Sequence, residues 1–160
     1  MNAASGNTGT SGTSLVEFVT VRIAGQLFGL PILEVEDVFA PTGITEVPLS
    51  SPEIAGVLNL RGRIVTAINM RRRLNLDDRY DDGCMAIGIQ HHGESYGLIV
   101  DSVGEVLRLE KGAIEPNPVN LNPSWSAVAT GIYQLDGELL VVLAVDRVLC
   151  GGRKQEQAVA

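Results

Sequence analysis

Val19, Val21 and Ile23 alternate with Thr20 and Arg22, and Phe28, Leu30 and Ile32 resume the alternation just past Gly25-Gln26. In an extended chain a period of two sends alternate side chains to opposite faces, so each run predicts a strand with one face on a core. The pairs Gly25-Gln26, Arg61-Gly62, Gly93-Glu94 and Asp136-Gly137 each separate two apolar runs. Glycine adopts positive φ without a steric cost, so all four predict hairpin turns, and Asp136-Gly137 best fits type I′. Helical periodicity is scarce. Short helical turns are expected at 33–39, at 71–74 and near 146–149. Frequent turns and the lack of any helix of crossover length argue against a parallel α/β sheet.

The strand pattern occurs twice. Residues 25–38, GQLFGLPILEVEDV, and residues 93–106, GESYGLIVDSVGEV, share G-x-x-[FY]-G-L-x-[IV]-x-x-V-x-x-V at an offset of 68 (93 minus 25). Residues 56–65, GVLNLRGRIV, match residues 131–140, GIYQLDGELL, at an offset of 75 (131 minus 56). The larger offset places seven extra residues (75 minus 68) within 116–130. Each copy supplies about five strands, and so short a sheet is best stabilised by closing into a small barrel without free edges. A barrel of ~65 residues is marginal alone, so two should pack together. The expected organisation is a tail at 1–14, a body at 15–150 with one barrel at about 15–80 and a second at about 81–150, and a tail at 151–160. The copies agree at apolar and glycine positions, which serve the fold. They differ at one hairpin tip, Arg61-Gly62-Arg63 against Asp136-Gly137-Glu138, where the charge is reversed.

Composition narrows the function. The 160 residues are 45% hydrophobic and 19% charged, which supports a packed core. A net charge of −7 and an aromatic content of 4% disfavour nucleic-acid binding, which draws on basic grooves and stacking rings. Within this acidic chain, six arginines and two aspartates between Arg61 and Arg79 make a segment of about +4 (six minus two). It is either a solvated face or a docking patch for an acidic partner. Residues 1–14 lack the basic and apolar regions of a signal peptide, and no apolar run reaches the ~20 residues of a membrane span, so a cytoplasmic protein without membrane insertion is expected.

Catalytic chemistry finds no support. Adjacent His91 and His92 would point to opposite faces of a strand, and Cys84 and Cys150 have no spaced partners, so no metal or cofactor is expected. No nucleophile elbow, phosphate-binding loop or dinucleotide fingerprint occurs. Asp101, Asp136, Glu138 and Asp146 are carboxylates at turns and strand ends, and they form no matched acid–base set. The chain is read as a non-enzyme.

The run Pro48 to Arg63, PLSSPEIAGVLNLRGR, resembles the CheW-like chemotaxis adaptor family, whose signature is P-x-x-P-x-x-I-x-G-V-x-N-L-R-G followed by an apolar strand and a short basic stretch; the second proline here, Pro52, comes one place later than in that signature. Here the strand and the basic stretch are 64–68 and 70–74. Phe18, Gly29-Leu30-Pro31-Ile32, Val35 and Val38 fit as well, as do Gly97-Leu98-Ile99-Val100-Asp101 and Gly131-Ile132, so the resemblance spans about 16–150. It implies a mainly β protein of two SH3-like five-stranded barrels with a groove between them. It implies a non-catalytic adaptor that binds the regulatory domain of the chemotaxis histidine kinase and the cytoplasmic tips of methyl-accepting chemoreceptors. Arg61 is the arginine of N-L-R-G, and Val35 and Asp37 fall on the family's receptor-facing V-x-E. With Asn59, Gly62 and Arg63 of the same hairpin, these form the candidate receptor- and kinase-binding set. Asp37 stands where glutamate is usual, Asn69 where aspartate is common, and Thr66 where proline is frequent. An adaptor of another motility or surface-sensing pathway, or a small-ligand site in the inter-barrel groove, are the alternatives.

Overall fold

The structure, a computed structural model, describes residues 14–77 and 83–149. Apart from Ser14, both expected tails lie outside the described residues. Among the described residues, ten strands form two five-stranded sheets. They are β1 (Leu15–Ile23), β2 (Gln26–Pro31), β3 (Val35–Phe39), β4 (Ile54–Leu60), β5 (Arg63–Asn69), β6 (Met85–His91), β7 (Glu94–Val100), β8 (Ser102–Glu110), β9 (Ala129–Leu135) and β10 (Glu138–Leu143). Two short helices, α1 (Met70–Arg73) and α2 (Pro123–Ser126), and a helical turn at 145–149 complete the pattern.

One sheet has the order β8-β1-β2-β10-β9 and the other β3-β6-β7-β5-β4. The expected division at about residue 80 is therefore not how the strands pair. A contiguous barrel of 35–100 is nested inside a barrel split between 15–31 and 102–143. The two copies of the repeat exchange their first hairpins. Parallel Leu140↔Leu27 in the split barrel corresponds to Val65↔Ser95 in the nested one, and the bulge between Val19 and Val21 recurs between Val35 and Asp37 on the equivalent strand pair. The reason is the linker. Within one barrel the third strand runs antiparallel to the first, and hence parallel to the second. A parallel return needs a dozen or more residues, yet only Ile32–Glu34 separate β2 from β3, and Asp101 alone separates β7 from β8. The chain instead continues onward into the other barrel.

Each barrel closes in the same way. The backbones of Thr45 and Val57 exchange hydrogen bonds of 2.8 Å, and those of Glu115 and Ile132 exchange bonds of 2.8 and 2.9 Å. Gly56 and Gly131, equivalent in the repeat, precede the bridged residues. A Cβ on Gly131 would stand 2.5 Å from the Glu115 carbonyl oxygen, and one on Gly56 would overlap that of Thr45. Close approach of the closing segment explains why both copies keep glycine there.

Three cores follow. Phe39, Leu58, Val65 and Ile99 fill the nested barrel, and Phe18, Leu27, Tyr133 and Leu140 fill the split one. The largest lies between them and includes Val21, Phe28, Leu30, Met70, Leu98 and Val141. Strands β1, β2, β7 and β10 thus bury both faces, where the alternation suggested one face only. Thr20 is the polar exception on β1, and its hydroxyl donates to the Glu105 carbonyl at 2.6 Å.

Three of the four hairpins turn on two consecutive positive φ values, Ala24-Gly25, Arg61-Gly62 and His92-Gly93. Asp136-Gly137 has positive φ only at Gly137, so it departs from the type I′ geometry expected of it. The helical turn expected at 33–39 shrinks to a 3-10 turn at Ile32–Glu34, because Val35–Phe39 pairs with β6. Helix α1 forms where expected. Asn69 caps it, with its side-chain oxygen accepting from the Arg72 N–H at 3.2 Å. The seven extra residues of the second copy accommodate α2, whose Trp125 packs edge-on against Phe28 at 5.4 Å and donates its indole N–H to the Leu74 carbonyl.

Candidate functional site

The turn between β4 and β5 must place a non-glycine residue at φ 53°, and Arg61 occupies it ahead of Gly62 at φ 84°. Asn59 supports the turn by accepting the Gly62 N–H at 2.9 Å. Arg61 then reaches across the barrel seam to β3, where its Nη1 donates to Asp37 Oδ2 at 2.7 Å. Asp37 is aimed by the β3 bulge, and its other oxygen accepts the Val38 N–H at 2.8 Å. The Arg61 side chain is 73% exposed and that of Asp37 26%. The aspartate is therefore a fixed anchor, while most of the guanidinium fork faces solvent. Arg63 lies beside them, contacting Glu36 at 3.3 Å and Ser95 at 3.4 Å.

Five of the six candidate residues thus meet at one seam of the nested barrel. Val35 does not join them: it is half-buried and packs against the inter-barrel core. Sequence reasoning missed Glu36 and the exposed apolar residues Val38 and Ile64. Val38 and its repeat partner Val106, which agree in the two copies as fold positions do, are 39% and 44% exposed. The physical cause is the alternation of faces: Val38 alternates with buried Phe39 and Val106 with half-buried Leu107, so both project outward from their barrels.

The basic segment is largely spent on the fold. Arg71 grips Asp101 through two hydrogen bonds of 2.9 and 2.6 Å. Asp101 also accepts the Ala24 N–H at 2.8 Å, which ties the nested barrel to the first hairpin of the split one. Burial works to raise the Asp101 pKa, but the Arg71 hydrogen bonds, the Ala24 amide and the Arg71 charge together hold it below the usual carboxylate value. Arg72 donates to the Pro52 carbonyl, and Arg73 to those of Val148 and Arg147. Arg61 and Arg63 make no such backbone contacts and face outward, and Arg79 lies outside the described residues. The space between the barrels, where a ligand groove was the alternative, is filled by the largest core. His91 and His92 pack ring edge on ring face at 4.0 Å, and among the described residues no three His, Cys, Asp or Glu converge as a metal site.

A family model for the CheW-like domain matches residues 17–151, a span that covers both barrels. The chain belongs to the CheW-like domain family. Its sequence is 24% identical over 148 residues to the chemotaxis protein CheW of Helicobacter pylori, covering 92% of this chain and 89% of that one. It is 27% identical over 135 residues to the chemotaxis protein CheW of Thermotoga maritima, covering 83% and 87%. In three dimensions it resembles the crystal structure of the scaffolding protein TtCheW from Thermoanaerobacter tengcongensis, with a TM-score of 0.74, 30% identity and coverage of 81% and 84%. Within this CheW-like fold of two SH3-like subdomains, the N-L-R-G string is the tip of a hairpin that latches a barrel seam. Asn69, in place of the family's frequent aspartate, still performs the helix-capping task that a carboxylate would.

Proposed function

We propose that this chain is a chemotaxis adaptor that couples chemoreceptors to the chemotaxis histidine kinase by protein–protein binding, without catalysis. The observation that carries the reading is the family match across residues 17–151, with relatives that bear the name chemotaxis protein CheW and a solved neighbour described as a scaffolding protein. In this reading Arg61, Asp37, Asn59, Gly62 and Arg63 form the binding face, with Val38 and Ile64 as its apolar neighbours. An arginine fork already anchored by one carboxylate has lost part of its conformational freedom before a partner arrives, which lowers the entropic cost of capture. Val35 contributes by setting the course of β3. The protein works in the cytoplasm and reaches membrane-associated receptor arrays through its partners; no helix among the described residues is long and apolar enough to cross a membrane.

The test is a pull-down with the purified regulatory domain of a chemotaxis kinase, with and without a receptor cytoplasmic fragment. Wild-type chain is expected to bind each and to bridge them, and Arg61→Glu to lose at least tenfold in affinity for one of them. Failure of the wild type to bind either partner overturns the adaptor reading. Unchanged binding by a folded Arg61→Glu variant overturns the site.

A further inference from the structure

The repeat that builds the two barrels also compares their seams position by position. In the nested barrel Arg61 and Asp37 latch the seam at 2.7 Å. Adding the offsets of 75 and 68 puts Asp136 and Glu105 at the same places in the split barrel. Two like charges replace the ion pair at this end of the seam, while at the other end the Tyr133 hydroxyl on β9 donates to the Glu110 carbonyl of β8 at 3.0 Å. The seam opens into a cleft of about 480 Å³ between β8 and the β9–β10 turn. The floor is apolar, with Leu27, Leu107, Leu109 and Leu135. The rim carries Glu105, Asp136 and Glu138 against one cation, Arg22, for a net charge of −2 (three minus one). Arg22 is committed to Glu138 by two hydrogen bonds of 3.1 and 3.0 Å, which leaves the charges of Glu105 and Asp136 unanswered among the described residues.

One wall of the cleft is β8, the terminal strand of its sheet, which pairs with β1 alone. Its outer edge offers backbone donors and acceptors to an added strand. A small cation would satisfy the acids but use neither the apolar floor nor this edge. An extended peptide with an arginine between apolar residues uses all three.

We propose that the open seam of the split barrel is a docking cleft for an extended segment of a partner protein, in which an arginine flanked by apolar side chains takes the place that Arg61 holds in the other barrel. The arginine lies between Glu105 and Asp136, and its apolar neighbours cover the leucine floor. The cleft is formed by a different barrel from the Arg61 face, so the inference stands whether or not that face binds the kinase or a receptor.

The full chain with 13C-labelled leucine methyls is titrated with the peptide acetyl-Leu-Val-Arg-Val-Leu-amide and with its Arg→Glu counterpart. Saturable shifts are expected at Leu27, Leu107, Leu109 and Leu135, with at least fivefold weaker binding of the glutamate peptide. Asp136→Arg supplies an arginine where the nested barrel has one, so it should latch the seam from within and abolish the shifts. Glu105→Gln should weaken binding at least threefold, and it keeps the test open if the first variant fails to fold. Absence of shifts at these leucines, equal binding of the two peptides, or full binding by folded Glu105→Gln would overturn the proposal.

Discussion

Leu30→Ala tests the architecture most directly. Leu30 is fully buried on β2 and belongs to the core between the barrels, not to the interior of either one. Truncation removes a branched side chain from a site where β2 is hydrogen-bonded to β1 on one edge and to β10 on the other, so the backbone has little freedom to close the gap. Substitutions of this kind cost about 2–5 kcal/mol, the upper part of the range applying where collapse is restricted. With a urea m-value of about 1.5 kcal/mol/M, a loss of about 3 kcal/mol lowers the midpoint by about 2 M. The single tryptophan, Trp125, reports on this core because it packs against Phe28, while Tyr133 lies inside the split barrel. Urea unfolding followed by tryptophan fluorescence and by near-ultraviolet circular dichroism should give coincident transitions, both shifted by the mutation. A loss below about 1 kcal/mol, or separate transitions in the wild type, would refute a shared core that makes the barrels interdependent.

Other outcomes follow from the same geometry. Arg61→Glu should cost no more than about 1 kcal/mol, since the Arg61 side chain is largely exposed to solvent, and thermal unfolding of the variant checks this; a larger loss would make Arg61 structural. Gly56→Ala should cost about 2–3 kcal/mol, because the new Cβ meets the Thr45 carbonyl and the residue sits at φ 147°, and a stability unchanged in urea would mean that the closing segment gives way easily. Because Arg71 and the Ala24 amide hold the Asp101 pKa below its unfolded value, the stability Asp101 contributes is complete above about pH 4 and is lost as pH falls through the folded value. Asp101→Asn should therefore be less stable than wild type at pH 6, with the two midpoints converging toward pH 3; a constant gap across that range would exclude this linkage.

Strand existence and hairpin positions were legible because alternation and Gly-containing turns are local signals. The pairing partners were not. The repeat makes either copy's strands 3 to 5 equally suitable for the β1–β2 hairpin, and only the length of the 32–34 linker decides between them. The same locality explains Leu33–Phe39, whose short apolar pattern suits a helix until β6 offers a ladder. At the site, the opposite charges on equivalent tips singled out Arg61 and Arg63, and the structure places both at the β4–β5 hairpin. The union of Arg61 with Asp37 depends on barrel closure, which brings together residues 24 apart in sequence, and no spacing rule anticipates it. The half-burial of Val35 was not legible, because one strand residue in two faces inward and the bulge at Glu36 sets which.

Nesting one barrel within the other has a consequence for how the protein is made. Residues 35–100 contain every strand of the inner unit, so it can close as soon as β7 has left the ribosome. The hairpin at 15–31 emerges earlier but waits for β8, β9 and β10. Completion of the outer unit beside its already formed neighbour then ties residues 15–31 to residues 102–143, and truncation at any point before Leu143 leaves that second barrel unfinished.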